Sequence, residues 1–301
     1  MGTFRRLSVA WAGVAVGLGG ASALVAAAVA TAAAATAAAT PAPGPARSFM
    51  VVQPAGPKDL KTVGPYINSF LGYIEGRAGV PAASFKAFYF ADLAKGEKAL
   101  LEKKPGFAMP TLGLYLKHRA ALGMHALVRI EVEGKLESGY HLVGRAPAAA
   151  VTSLAPLAGK RLAWTAFDDP AFVSKVILMG TPLEKFTLMK VLQPVAAARA
   201  VIDGTADLAL LATADLGAAR KLPGGDKLVV VWNAPTVPNP PVVSLAAAST
   251  ADVAAVRDAL TAMCGDTAKG GKGICEEFHI SGFVAATDAM YDALSAKLAK
   301  P

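Results

Sequence analysis

The sequence lacks the common signatures of cofactor, metal and nucleophile sites. No GxGxxG motif follows a predicted strand, and GxxxxGK[ST], HExxH and GxSxG do not occur. The four histidines are dispersed without ligand spacing: His118, His125, His141 and His279. We therefore expect no cofactor, no metal and no catalytic residue, and binding is a better interpretation than catalysis. A Ser/His/Asp site assembled from distant residues stays open, although no motif marks one.

Long runs of basic residues are also missing. Lys and Arg total 30 against 22 Asp and Glu, which gives a formal charge of +8. These basic residues are scattered, and no run exceeds two. A solvated surface is therefore favoured over a nucleic-acid interface, and no nucleic-acid partner is expected.

The first 46 residues form a segment of their own. Arg5 and Arg6 precede an apolar run from Val9 to Ala30, and an Ala/Thr/Pro tail with Ala-x-Ala sites follows. This pattern predicts a secretory signal peptide with a low-complexity spacer, and hence a periplasmic or secreted protein. Removing it takes away two arginines and no acid, so the charge falls from +8 to +6. A retained membrane anchor is the alternative, because the run is long enough to span a bilayer.

Cysteine is scarce, with Cys264 and Cys275 as the only two. They bracket a Lys/Gly-rich segment near the end of the chain. In an exported protein this pair predicts a local disulfide. A metal or redox pair is disfavoured, because there is no CxxC and no histidine is spaced to join them.

Strand and helix patterns alternate in the first part of the chain. The predicted elements are strand Ser48–Gln53, helix Asp59–Glu75, strand Phe85–Phe90, helix Leu93–Lys103, strand Phe107–Met109 and helix Leu114–Leu122. Three strand-helix repeats in succession predict a parallel sheet with right-handed crossovers. Two extended strands, Ala126–Glu133 and Tyr140–Arg145, then interrupt the alternation.

A second alternating series follows from residue 157. Its elements are strand Leu162–Thr165, helix Ala171–Met179, strand Phe186–Val191, helix Val195–Ile202, strand Leu208–Leu211, a helix or turn through Asp215–Arg220 and strand Leu228–Trp232. Residues 233–241 contain four prolines and predict an extended connector. Strand Val242–Ala246, helix Ala251–Met263, a turn at Gly282 and Phe283, and helix Asp288–Leu298 complete the chain.

These patterns predict an α/β protein with two lobes. We expect two mostly parallel sheets, flanked by helices and joined by a two-strand hinge, because the chain crosses between the lobes twice. Lobe 1 would comprise residues 47–135 and 241–301, and lobe 2 residues 136–240. We expect a monomer.

Polar residues at the carboxyl ends of strands are the candidate ligand contacts, because open α/β folds bind ligands at that edge. The candidates are Gln53, Gly56, Tyr89, Thr111, Tyr115, Phe167, Asp168, Asp169, Thr213 and Asn239. For Tyr89 a place in the core is the alternative. We expect the turns at Thr111 and Asp168 to face each other across a water-filled crevice.

Four segments occur in an order that resembles a known family. They are LAGKRLAW (157–164), VIDGTADLALL (201–211), VPNPPVVSL (237–245) and ISGFVAATDAMYDAL (280–294). Over roughly residues 48–298 the chain resembles the phosphonate/sulfonate-binding (PhnD/SsuA/transferrin-type) branch of periplasmic solute-binding proteins. The resemblance implies two α/β lobes that close over a small solute and hand it to a membrane permease of the ABC type.

The chain departs from this family at the turn after Trp164. Members that bind phosphonates carry a Ser/Thr-rich turn there, whereas this sequence has Ala166, Phe167, Asp168, Asp169 and Pro170. Two carboxylates at a helix start suit capping but would repel a dianion. A cationic, zwitterionic or neutral aromatic solute is therefore favoured over an oxyanion. An enzyme on the same fold and a sensory module that presents solute to a membrane receptor stay open as alternatives.

Overall fold

The computed structural model describes residues 47–54, 56–58 and 60–299. The predicted signal peptide, spacer and possible anchor in residues 1–46 lie outside the described residues. Within the described ranges, no helix combines the length and the apolar character needed to cross a bilayer.

The elements follow one another as the sequence patterns predict, with four additions. The chain begins with β1 (Ser48–Val52), α1 (Leu60–Ala78), β2 (Lys86–Phe90), α2 (Leu93–Lys103), β3 (Phe107–Met109), α3 (Leu112–Leu122) and β4 (His125–Glu131). It continues with β5 (Glu137–Ser138), β6 (Tyr140–Arg145), β7 (Arg161–Trp164), α4 (Pro170–Phe172), β8 (Thr187–Lys190), α5 (Pro194–Ile202), β9 (Leu208–Ala212), α6 (Thr213–Ala219), β10 (Leu228–Asn233) and β11 (Val237–Pro238). It ends with β12 (Pro241–Ser244), α7 (Thr250–Met263), α8 (Gly271–Glu277), β13 (Gly282–Ala285) and α9 (Asp292–Ala299). The four additions are β5, β11, α8 and β13.

Local capping fixes the ends of the helices nearest the site. The Asp92 side chain accepts a hydrogen bond from the Lys95 N–H at the start of α2. At the start of α3 the Thr111 hydroxyl accepts from the Leu114 N–H, and Gly123 ends that helix in the left-handed conformation. Side-chain caps of this kind satisfy backbone N–H groups that have no partner within the helix.

The described strands form two large sheets and one small ribbon. The first sheet has the order β13-β4-β12-β3-β1-β2 and the second the order β10-β6-β9-β7-β8. The ribbon pairs β5 with β11, which lie on the two chain passages between the sheets. The two-lobed α/β fold with a two-strand hinge is therefore confirmed.

The sheets are mixed rather than mostly parallel as predicted. Parallel pairing is confined to β2-β1-β3 in the first sheet and β8-β7-β9 in the second. Strands β4 and β12 run antiparallel to each other, as do β6 and β10. The reason is topological. The chain leaves the first sheet through β4 and returns through β12, and it enters the second sheet through β6 and leaves through β10, so the strands of each pair run in opposite directions.

One hydrophobic cluster joins the two sheets. It includes Leu100 and Leu114 from the first lobe and Leu162, Trp164 and Phe172 from the second, each buried. Two further clusters lie within single lobes, one around Phe49 and α1 and the other around α5. The predicted lobe boundaries agree with the assignment of strands to sheets but stay a prediction, because the shared cluster gives no clean dividing surface.

Some predicted elements differ from the observed ones. The turn predicted at Gly282 and Phe283 is wrong, because β13 pairs there with β4. The helix predicted from Ala171 to Met179 is a single turn of α4 followed by a π-helix at Val173–Ile177.

Helix α8 was not predicted, although the disulfide that anchors it was. Cys264 at the end of α7 is bonded to Cys275 of α8, with a Cα–Cα distance of 5.4 Å. The predicted Cys264–Cys275 disulfide is therefore confirmed.

Candidate functional site

A cavity of about 340 Å³ lies between the lobes. Its walls come from the ends of β1 and β3, from α1, from the β5/β11 ribbon and from the second lobe. The side chains that fill most of these walls are apolar: Val51, Val52, Val63, Ile67, Phe70, Met109, Leu112, Ile130, Val132, Val237, Phe278 and Ile280. Of the described residues that line the cavity, none is Lys, Arg or His.

Two aromatic rings of the second lobe form one wall. Tyr140 at the start of β6 stacks on Phe167, with ring centroids 5.1 Å apart and planes 11° from parallel. Stacked rings keep each other's orientation and present a flat apolar surface.

The two lobes touch at the base of this cavity, where Asp168 meets the start of α3. The Asp168 Oδ1 atom accepts hydrogen bonds from the Thr111 hydroxyl at 2.7 Å and from the Gly113 N–H at 2.9 Å. The Asp169 N–H donates to the same oxygen at 2.7 Å. Thr111 and Asp168 are both buried. The expectation of a crevice between these two turns is therefore wrong, because their polar groups satisfy each other directly.

Burial dominates the electrostatics of this junction. It raises the pKa of Asp168 from its ordinary 3.8 to about 6. The hydrogen bonds from Thr111, Asp169 and Gly113 work in the opposite direction, and the nearby Asp169 charge adds to the increase. Asp168 therefore lines the cavity as a buried acid whose best acceptor atom is already engaged.

Asp169 has a structural role at the same junction. Its Oδ1 atom accepts from the N–H groups of Ala171 and Phe172, which caps α4. Its Oδ2 atom lies 2.8 Å from the Lys117 Nζ atom, so an ion pair links α3 of the first lobe to the second lobe. The hydrogen bond to Asp169 raises the pKa of Lys117.

Two further polar candidates, Gln53 after β1 and Tyr89 in β2, line the cavity from the first lobe. The Tyr89 hydroxyl and the Gln53 Oε1 atom are 3.5 Å apart, and both residues line the cavity. Gly56 lies against them, since a Cβ atom at Gly56 would collide with the Tyr89 hydroxyl. Burial raises the pKa of Tyr89.

Tyr115, Thr213 and Asn239 are engaged away from the cavity. Tyr115 is fully buried and donates to the Asp288 Oδ1 atom at 2.6 Å. The Thr213 hydroxyl is 3.0 Å from the His141 Nε2 atom. The role of these three residues in ligand binding stays a prediction, and their visible contacts are structural.

Asn239 holds the hinge together. Its Nδ2 atom donates to the carbonyls of Ile130 and Lys135, and its Oδ1 atom accepts from the Ser138 hydroxyl. The side chain is buried, with 2% of its residue surface exposed. One asparagine thus ties the returning passage to the outgoing one.

The apolar lining was missed by reasoning from strand ends. Val63, Ile67 and Phe70 lie on the apolar face that predicted α1, and such a face ordinarily indicates contact with a sheet. No pattern in the sequence separates an apolar side chain that fills a core from one that borders a cavity.

Comparison with known proteins identifies the family. The model of the periplasmic substrate-binding protein of phosphonate ABC transporters matches residues 67–291. The chain belongs to this family. A search of curated proteins found no significant match. Members of the family are substrate-binding components of ABC transporters, which agrees with the resemblance carried by the four segments.

Solved structures share the fold of this family member at low sequence identity. The XAC2383 protein of Xanthomonas citri bound to ATP has a TM-score of 0.65 at 17% identity, over 84% of this chain and 97% of that one. A phosphonate-transporter binding protein of Pseudomonas aeruginosa has a TM-score of 0.63 at 15% identity, over 83% and 84%. PhnD1 of Prochlorococcus marinus, in complex with methylphosphonate, has a TM-score of 0.63 at 13% identity, over 86% and 100%.

Proposed function

We propose that this protein is exported, captures a small solute in the interlobe cavity as a monomer, and delivers it to an ABC-type permease without chemical change. The observation that carries the proposal is the cavity itself, because both lobes and both chain passages contribute to its walls. The family supports capture and transport, and the sequence of residues 1–46 supports export to the periplasm or beyond.

The arrangement of the hinge explains how such a site would work. A solute that contacts both lobes binds the closed arrangement more tightly than the open one, so it shifts the population towards closure. Val52 and Met109 line the cavity from the first lobe and Phe167 from the second. A solute placed between them would therefore stabilise the contact between the lobes.

An enzymatic role on the same fold has less support. Among the described residues that line the cavity there is no histidine or cysteine, and Asp168 is the single acid. Its Oδ1 atom already accepts from Thr111 and Gly113. A general acid or base needs a free contact with its substrate, so this lining is better suited to binding.

Thermal unfolding tests the proposal. A solute at 100 times its dissociation constant adds about 2.7 kcal/mol to the free energy of unfolding. For a chain of this size we expect the melting temperature to rise by roughly 5 to 11 °C. The panel should contain phosphonates, sulfonates, amino acids, polyamines and neutral aromatic compounds. If every member leaves the melting temperature unchanged, the proposed capture of a solute is wrong.

A further inference from the structure

We infer, on the premise that the proposed solute capture holds, that the solute is a neutral and largely apolar small molecule. The family model would suggest a phosphonate, but three features of the cavity favour an uncharged compound. They are the apolar walls, the occupation of the α3 N-terminus by Asp168, and the neutrality of the remaining polar side chains.

The walls offer no counter-charge to an anion. Part of the cavity wall is formed by Val63, Ile67 and Phe70 of α1 together with Phe278 and Ile280. None of the described lining residues is Lys, Arg or His. An anionic group that leaves water for such surroundings loses its hydration without gaining a cationic partner, so anionic solutes are strongly disfavoured.

The N-terminus of α3, which could hold an oxyanion, is already in use. The N-terminus of α3 directs the Gly113 N–H and the Thr111 hydroxyl towards the cavity side of the helix, and both donate to Asp168. An incoming phosphonate would have to displace this carboxylate and then lie beside it. The Asp168 carboxylate therefore occupies the place at the helix N-terminus that an anionic ligand would need.

The polar side chains that remain in the described lining are neutral: Gln53, Tyr89, Ser138 and Tyr140. The Gln53 amide and the Tyr89 hydroxyl are separated by 3.5 Å, a distance at which their mutual hydrogen bond is weak. A hydroxyl or amide on the solute can bond to both of them. The Tyr140–Phe167 stack also lines the cavity and offers a flat surface for a ring.

The volume limits the size of the solute. An apolar cavity of about 150 Å³ can hold benzene. The cavity here measures about 340 Å³, and we expect it to accept roughly 10 to 15 non-hydrogen atoms by the same scaling.

Three naphthalene derivatives of similar shape, compared with methylphosphonate, test this inference. We would measure binding of 2-naphthol, naphthalene-2-carboxylate, 2-naphthylmethylamine and methylphosphonate to the purified protein by calorimetry and native mass spectrometry. We expect 2-naphthol to bind at least about tenfold more tightly than the carboxylate, whose charge would be buried without a partner. We expect the same preference over the amine, because Asp168 is the one acid among the described lining residues and its Oδ1 atom is already engaged by three donors. Methylphosphonate should not bind measurably.

Two tryptophan variants assign the binding to the cavity. Met109 lines the cavity, so Met109→Trp should reduce 2-naphthol affinity by at least about tenfold by filling it. Met290 is 46% exposed and does not line the cavity, so Met290→Trp should bind as the unaltered protein does. Circular dichroism of both variants would verify that they fold, and Met109→Phe serves as a smaller filling replacement if the tryptophan variant does not.

The outcomes separate the inference from the proposed function. Preferential binding of methylphosphonate or of either charged naphthalene would overturn the neutral-solute inference while solute capture stands. Binding of 2-naphthol that persists unchanged in a folded Met109→Trp variant would overturn the assignment to this cavity. Failure of all four compounds to bind would count against the inference. If, in addition, no compound of the thermal-unfolding panel raised the melting temperature, solute capture itself would be contradicted.

Discussion

Replacing Asp168 with asparagine removes one buried charge while it keeps an oxygen acceptor in place. The Thr111 hydroxyl, the Gly113 N–H and the Asp169 N–H all donate to Oδ1, and an asparagine oriented with its oxygen there preserves these bonds. The variant therefore isolates the effect of the charge from the effect of the hydrogen bonds. We expect the variant to fold and to be at least as stable as the unaltered protein at neutral pH.

The expected magnitude follows from the pKa of Asp168. Burial raises this pKa from 3.8 to about 6, so the folded protein binds the proton more tightly than the unfolded chain. The stabilising contribution is therefore complete below pH 3.8 and is lost as the pH rises through 6. The loss amounts to about 3 kcal/mol at about 1.4 kcal/mol per pKa unit. In a chain of this size that free energy corresponds to roughly 6 to 12 °C in melting temperature.

Urea unfolding at a series of pH values measures the contribution of the Asp168 carboxyl to the free energy of unfolding. The free energy of unfolding of the unaltered protein should fall relative to that of Asp168→Asn by about 3 kcal/mol between about pH 3.5 and pH 7. Asp203 is exposed, so Asp203→Asn serves as a matched control with a pH profile parallel to the unaltered protein. If Asp168→Asn is also parallel, the Asp168 carboxyl is hydrated in solution and the junction between the lobes is open there.

Two other substitutions test features that hold the lobes and the helices. The Cys264→Ser, Cys275→Ser double variant should lose about 3 kcal/mol of unfolding free energy by the loop-entropy model, for a sequence separation of 11, and an unchanged urea midpoint would contradict it. Lys117→Met removes the ion pairs with Asp169 and Glu97, and since the Lys117 side chain is 42% exposed the loss should stay below about 1 kcal/mol. Lys98→Met removes an exposed pair within one helix and should change stability even less, so a larger loss for Lys98 than for Lys117 would refute the ranking.

The elements that were predictable from sequence carry their own boundary signals. Helix α2 was predicted with its observed limits, because Asp92 caps its start and Pro105 follows its end. Helix α8 contains glycines at 271 and 273 and is held by the buried Cys275 rather than by helix propensity. Strand β13 forms because the edge of β4 is available to pair with it, which a local pattern does not reveal.

The site was predictable where a single strand end determines it. Gln53, Thr111, Phe167 and Asp168 follow their strands and line the cavity, and Tyr89 lines it from within β2, next to the last residue of that strand. The bond between Thr111 and Asp168 depends on how one lobe is placed against the other, and residues 57 positions apart give no local indication of it. The apolar lining escaped detection for the same reason.

Asn239 constrains how the two halves of the molecule can rotate. Its side chain reaches Ile130 at the end of the first sheet, Lys135 in the connecting turn and Ser138 in the ribbon. These hydrogen bonds hold the two chain passages together as one unit, so the passages resist bending between the two sheets. We therefore expect any rotation of one lobe against the other to occur where these passages join the second sheet, and the cavity edge farthest from that junction to move most.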